Sequence, residues 1–114
     1  MVQRIRDEEA DATDDGFVLY QGEFYTGELV EMSRDGRLLS LSTYTDGIED
    51  GPWLEWYPDG SKRVEGYYSN GSIVGTWQEW HPNGAIAKKS VYDDNKKLVS
   101  KNKWDSEGNL VDHY

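Results

Sequence analysis

Short runs of alternating apolar and polar residues, separated by turn sequences, make up most of the chain. One run extends from Trp53 to Tyr57 and is rich in aromatic residues, which is typical of a β-strand. It is followed by Pro58-Asp59-Gly60, where proline presets the φ of the first turn position and glycine accepts the left-handed conformation. These residues predict a β-hairpin whose three-residue loop carries a bulge at the glycine.

The hairpin pattern repeats with a period of 24 residues. The stretch from Gly51 to Gly60 returns as Gly75 to Gly84, and a fixed period without insertions indicates a repeat architecture. The sequence therefore predicts an all-β fold, an elongated antiparallel meander of β-hairpins that forms a single-layer twisted sheet. Further turns are predicted where the chain passes from one unit to the next, at Thr45-Asp46-Gly47, Ser69-Asn70-Gly71 and Asp93-Asp94-Asn95.

The predicted turn also fixes the register of each hairpin. In the hairpin closed by Gly60, the numbers of facing residues add to 118, so Trp56 should face Lys62 and Glu55 should face Arg63. The same rule, applied to all units, gives one row of large apolar residues on one face, and this row is the candidate core. Its members are Met32, Trp56, Trp80 and Trp104, and the apolar residues predicted to face three of them are Leu38, Ile86 and Leu110.

The pattern Gly-x-Trp-x-x-Trp-Tyr-x-Asn/Asp-Gly, followed by Tyr-x-Asn/Asp-Gly, resembles the MORN repeat. It is most similar to the bacterial variant of that repeat found in YwqK-type antitoxins, and the resemblance covers roughly residues 20–110. The resemblance implies a twisted antiparallel sheet that acts as a binding surface and, in the bacterial variant, the neutralising partner of a toxin. The terminal units depart from the pattern, because Leu29, Met32 and Lys101 replace tryptophans; such atypical units are typical caps of repeat arrays.

Charge is distributed unevenly along the chain. The net charge is −10, and residues 1–50 hold four basic residues against thirteen acidic ones. We expect residues 1–15 to form an acidic, mobile N-terminal arm and residues 16–114 to form the repeat domain. The acidity serves either solubility or the attraction of a basic partner, and it disfavours direct binding to nucleic acid or to anionic membranes. The lack of cysteine and of any long apolar segment favours a cytoplasmic location.

One repeat position carries a carboxylate in three successive units. Glu31, Glu55 and Glu79 should lie on the face opposite the tryptophan row, in a line with gaps of roughly 10 Å. Aromatic residues mixed with carboxylates are typical of a protein-binding hot spot, although Glu55 could simply pair with Arg63 across the hairpin. The candidate partner-binding residues are Glu31, Trp53, Glu55, Tyr57, Trp77, Glu79 and His81, together with the acidic residues Asp46, Glu49 and Asp50.

The sequence contains no recognisable catalytic motif. His81 and His113 are not spaced as metal ligands, and Asp93-Asp94-Asn95 is better explained as a turn than as a calcium loop. We therefore expect a protein that is not an enzyme and that has no metal and no cofactor.

The function that these features favour is stoichiometric inhibition of another protein. The preferred hypothesis is an antitoxin or immunity protein that covers a basic, nucleic-acid-targeting toxin, because such toxins carry basic clefts. The alternatives are a general protein-binding scaffold and an acidic inhibitor that mimics DNA. The oligomeric state is left open.

Overall fold

The computed structural model describes residues 2–113, and these residues contain β-strands and one short 3-10 turn (Asp7–Glu9) but no α-helix. The all-β prediction is confirmed. The strands in chain order are β1 (Arg4–Arg6), β2 (Asp11–Ala12), β3 (Val18–Tyr20), β4 (Glu23–Phe24), β5 (Gly27–Met32), β6 (Leu38–Thr45), β7 (Ile48–Trp56), β8 (Lys62–Ser69), β9 (Ser72–Ile73), β10 (Gly75–Trp80), β11 (Ile86–Tyr92), β12 (Leu98–Trp104) and β13 (Leu110–His113).

Most strands belong to one open sheet with the order β1-β5-β6-β7-β8-β10-β11-β12-β13, and β9 pairs with β8. Neighbouring strands in this sheet are antiparallel except β1, which pairs with β5 in parallel. Each hairpin is thus added beside the previous one, as the repeat predicts. Strands β2, β3 and β4 form a small second sheet.

The predicted hairpin turns are present. Gly36, Gly60, Gly84 and Gly108 all have φ between 84° and 91°, a region that residues with a Cβ atom avoid. The turns between units differ from one another. Asn70-Gly71 is a two-residue turn with both residues left-handed, whereas the corresponding turn after β11 places Lys96 in the left-handed region at φ 66°.

The register agrees with the prediction next to each turn and shifts by one residue beyond it. Trp56 faces Lys62 as predicted, but a bulge follows, so that Glu55 faces Val64 rather than Arg63. Arg63 is the extra residue of this bulge. The predicted register, with Glu55 opposite Arg63, is therefore wrong, because the second strand accommodates one more residue than a regular hairpin; the two side chains still form an ion pair.

The tryptophan row lies on one face of the sheet, here called the back face, but it is not the buried core. Met32, Trp56, Trp80 and Trp104 share this face by the observed register. All four are only half-buried, because no second layer from residues 2–113 covers them. The opposite face, here called the front face, carries the largest buried cluster. Its buried members are Ile5, Tyr25 and Tyr44, against which Ala10, Val18, Tyr20 and Leu29 pack.

The N-terminal segment differs from the mobile arm that the sequence predicts. Residues Arg4–Arg6 pair with β5, and Ile5 is only 4% exposed. Asp11–Ala12 pair with β3 in the small sheet. The apolar side chain of Ile5 anchors a segment whose acidic residues all remain exposed, so its charge is held at a fixed place on the surface.

Candidate functional site

The three repeated carboxylates form a line across the front face. Glu31 faces Ser40, Ser40 faces Glu55, Glu55 faces Val64, and Val64 faces Glu79. Neighbouring strands lie about 4.8 Å apart, so successive carboxylates are roughly 10 Å apart. The structure thus places them on one face and in the order that the repeat predicts.

Two of these carboxylates are held by tryptophans of their own strands. Trp53 Nε1 donates a hydrogen bond to Glu55 Oε2 at 2.8 Å, and Trp77 Nε1 donates to Glu79 Oε2 at 3.0 Å. Residues two apart on a strand lie on the same face, which makes this pairing a local consequence of the repeat. The indoles and carboxylates therefore form fixed pairs rather than independent side chains.

Each of the two pairs also has a basic neighbour. Arg63 Nη1 lies 3.6 Å from Glu55 Oε1, and Lys88 Nζ lies 3.8 Å from Glu79 Oε2. Arg63 also lies over the ring of Tyr57, at 5.9 Å from its centroid. Internal pairing of Glu55, the alternative to partner binding, is thus present, and it partly neutralises the charge of both glutamates.

The tryptophan rings of the front face are fixed by aromatic contacts. The ring of Tyr68 lies between Trp53 and Trp77, with centroid distances of 5.3 and 5.8 Å. Trp77 also covers Gly66, whose lack of a side chain leaves room for the indole. Burial raises the pKa of Tyr68 above its ordinary value, so the folded state favours the neutral phenol.

A groove of about 430 Å³ opens beside this aromatic stack. It brings together five of the predicted site residues, Glu55, Tyr57, Trp77, Glu79 and His81. Its further lining residues are Arg63, Val64, Trp80 and Ala87. The groove combines an aromatic wall with both acidic and basic groups.

Tyr57 and His81 link successive hairpins in the same way. The Tyr57 hydroxyl donates to the backbone oxygen of Trp80 at 2.7 Å. His81 Nε2 lies 2.8 Å from the backbone oxygen of Trp104, and since a carbonyl only accepts, the imidazole is the donor. His81 thus preserves the contact that tyrosine makes one unit earlier.

The other predicted site residues lie outside the groove. Glu31 is exposed at the acidic end of the carboxylate line, and Trp53 lies in the aromatic stack beside the groove. Asp46, Glu49 and Asp50 lie at the opposite ends of the strands, where Asp46 occupies a left-handed turn position. These three residues do not line the groove, although Glu49 lies on the front face opposite Tyr44.

Two lysines on the front face were not among the predicted site residues, although Lys101 was noted as a departure from the repeat. Lys101 occupies the repeat position of Trp53 and Trp77, and Lys103 occupies the position of the repeated glutamates. Lys103 also faces Lys88 across the ladder. The period of 24 residues contains this signal, since it aligns Lys103 with Glu79.

Comparison with known families supports the repeat assignment. A family model described as MORN repeat variant matches residues 49–70 and 73–94. No curated protein and no solved structure gives a significant match. Within residues 2–113, no helix has the length and apolar character needed to cross a membrane. The two matched segments are therefore MORN-type repeats, and they favour a repeat-based scaffold that binds other proteins.

Proposed function

We propose that this chain is an antitoxin or immunity protein that neutralises a cognate toxin by stoichiometric binding in the cytoplasm. The observation that carries the proposal is the front-face groove, where Trp77, Tyr57 and His81 form an aromatic wall on rigid strands. Large aromatic side chains that are already ordered lose little entropy on binding and supply much of the contact energy in protein interfaces. The chain acts by covering a surface of the toxin and needs neither a catalytic group nor a cofactor.

The proposed toxin has a basic surface, as expected of a protein that acts on nucleic acid. Glu31 is exposed and forms no ion pair within residues 2–113. The acidic side chains of the anchored N-terminal segment are exposed as well. These charges attract a basic partner over a distance and accelerate its association. Glu55 and Glu79 contribute less to this attraction, because each has a basic neighbour.

A general protein-binding scaffold is the second candidate function. The internal pairing of Glu55 and Glu79 favours it, since paired carboxylates add little to the recognition of a basic surface. In that case the acidity serves solubility, and the aromatic groove binds a partner that is not toxic.

The experiment that tests the proposal is growth rescue in cells that express the product of the adjacent upstream gene. Co-expression of the chain should restore growth, and the two purified proteins should form a stoichiometric complex. The antitoxin proposal is refuted if the upstream product is harmless or if the chain does not relieve its toxicity. The protein-binding scaffold would then remain as the candidate function.

Two variants test the binding surface itself. Glu31→Lys should slow association with the toxin at low salt, while Glu107→Lys, the same charge change in an exposed turn at the other end of the sheet, should have a smaller effect. Trp77→Ala should weaken the complex by about 2 kcal/mol or more, and a urea titration of the free variant checks that it remains folded. If Glu31→Lys and folded Trp77→Ala both bind normally, the toxin does not contact the front face.

A further inference from the structure

The last repeat unit reverses the chemistry of the front face. Where the two preceding units carry a tryptophan and a glutamate, this unit carries Lys101 and Lys103 on β12. Lys103 continues the line of carboxylates through Lys88, which faces Glu79 on one side and Lys103 on the other. The front face therefore changes from acidic to basic along one row of cross-strand neighbours.

This arrangement places like charges next to each other. Lys88 and Lys103 face each other directly, so their Cβ atoms are about 4.5–5.5 Å apart, a geometry in which like charges repel. Lys88 has Glu79 at 3.8 Å, but Lys101 and Lys103 form no ion pair within residues 2–113. The positive charge is thus only partly compensated inside the chain, and a bound anion would relieve the repulsion.

A buried hydroxyl without a partner lies among these lysines. Ser90 is 1% exposed, and its Oγ has no hydrogen-bond partner among the described residues 2–113. Ser90 faces Trp77 on one neighbouring strand and Lys101 on the other, and it lies on the same face as Lys88. A buried polar group without a partner is costly, so this part of the front face is under-satisfied in polar contacts as well as in charge.

The local charge differs in sign from that of the whole chain. Residues 85–104 contain six lysines against two aspartates, a local balance of +4, although the net charge is −10. Six strand steps separate β12 from β5 in the sheet, which corresponds to roughly 29 Å at about 4.8 Å per step. This distance is several times the Debye length of about 8 Å at physiological ionic strength. The acidic N-terminal half therefore does little to cancel the attraction of the lysines for an anion.

We propose that Lys88, Lys101 and Lys103, here called the lysine patch, dock an acidic peptide segment of a partner protein above the buried Ser90. A short segment rich in glutamate or aspartate fits a patch that spans two strands. A long polyanion such as nucleic acid would extend over the acidic part of the sheet, where it is repelled. The proposal goes beyond toxin neutralisation, since it concerns a second surface with the opposite partner charge and does not depend on the identity of a toxin.

The test uses a capped hexaglutamate peptide as the probe and isothermal titration calorimetry as the measurement. The full chain should bind hexaglutamate but not hexalysine at this patch, and raising the salt concentration should weaken the binding. The double variant Lys101→Gln/Lys103→Gln should lose about tenfold or more in affinity. The matched control Lys89→Gln/Lys97→Gln removes the same charge from the back face and from an exposed turn, and it should lose markedly less.

A third variant separates binding from folding. Lys103→Glu restores the repeat residue and places a carboxylate opposite Lys88, so it should raise the urea midpoint of unfolding while it abolishes hexaglutamate binding. Absence of hexaglutamate binding to the parent chain would overturn the proposal, as would equal losses in the two double variants or full binding by Lys103→Glu. If a single-stranded oligonucleotide binds to the same lysines more tightly than hexaglutamate, the proposal of an acidic peptide is wrong and the ligand of the lysine patch is nucleic acid. None of these outcomes bears on toxin neutralisation, which the growth assay decides.

Discussion

Replacement of Gly66 by alanine should destabilise the protein through a steric conflict with one aromatic ring. A Cβ atom at this position would lie 2.1 Å from Cε3 of Trp77, and two further ring atoms would be within 2.8 Å. Carbon atoms in contact are normally about 3.5–4.0 Å apart, so the indole has to move by more than 1 Å. The backbone of Gly66 is not left-handed, so the conflict is purely one of space.

The magnitude of this effect follows from the contacts that the indole makes. Overpacking of a filled site costs about 1–3 kcal/mol. A displaced ring also weakens the 3.0 Å hydrogen bond from Trp77 to Glu79 and the edge-to-face contact with Tyr68, each worth about 1 kcal/mol. We therefore expect Gly66→Ala to lower the free energy of unfolding by about 2–5 kcal/mol. Gly60→Ala provides a contrast. No heavy atom of another described residue, apart from the two adjacent in the chain, lies within 4 Å of the added Cβ atom, so only the left-handed φ of 91° opposes the substitution. Its cost should be about 1 kcal/mol of unfolding free energy.

Urea titration of a double-mutant cycle would identify the cause. In a Trp77→Ala background the space above Gly66 is empty, so Gly66→Ala should then change the free energy of unfolding by less than about 0.5 kcal/mol. The coupling between the two positions should accordingly be about 2 kcal/mol or more. If Gly66→Ala is as stable as the parent, or equally costly in both backgrounds, the steric reasoning is wrong.

Three further predictions concern stability. Lys96→Gly should raise the free energy of unfolding by about 1 kcal/mol in urea, because it removes an L-residue from a left-handed position, whereas Lys96→Ala should bring no such gain. Tyr57→Phe should lower it by about 1 kcal/mol through loss of the hydrogen bond to Trp80, with an unchanged circular dichroism spectrum as the check on the fold. Burial raises the pKa of Tyr44 above 10.0, so the folded state favours the neutral phenol. The stabilisation that the neutral phenol of Tyr44 provides is complete below the pKa of the unfolded state. It is lost as the pH rises through the pKa of the folded state. The urea midpoint should therefore fall less steeply above about pH 10 in Tyr44→Phe than in the parent, and equal slopes would contradict the assignment.

The fold was predictable because its determinants are local. The turn residues around Gly60 and the alternation of Trp53, Glu55 and Tyr57 depend only on near neighbours in the chain, and the next unit repeats the pattern with Trp77 and Glu79. The bulge at Arg63 was not predictable in this way, since the place where a ladder accommodates an extra residue depends on both strands. The anchoring of the N-terminal segment was missed for a similar reason. Its acidic composition indicated mobility, but a single residue, Ile5, docks it against β5.

The candidate site was predictable in position more than in chemistry. Alternation placed Trp77 and Glu79 on one face, but the hydrogen bond between them depends on side-chain orientation that a pattern does not contain. The lysine patch was not predicted, because charges were counted over whole halves of the chain, where nearby acidic residues offset the lysines. Alignment of Lys103 with Glu79 by the repeat period would have revealed the reversal, because equivalent positions in a repeat can be compared one by one.

The pairing order of the main sheet determines how the molecule opens. Within residues 2–113, each strand of the sheet from β5 to β13 pairs with strands close to it in the chain, whereas β1 pairs with a more distant one. Such a chain of neighbours folds through short loops and opens from its ends, where a strand has one neighbour instead of two. All four residues of β13 are exposed, so amide hydrogen exchange should be fastest there and slowest in β7 and β8. Strand β12, which carries Lys101 and Lys103, is the neighbour of β13. Opening of the sheet from β13 therefore exposes the lysine patch before it disturbs the central aromatic stack.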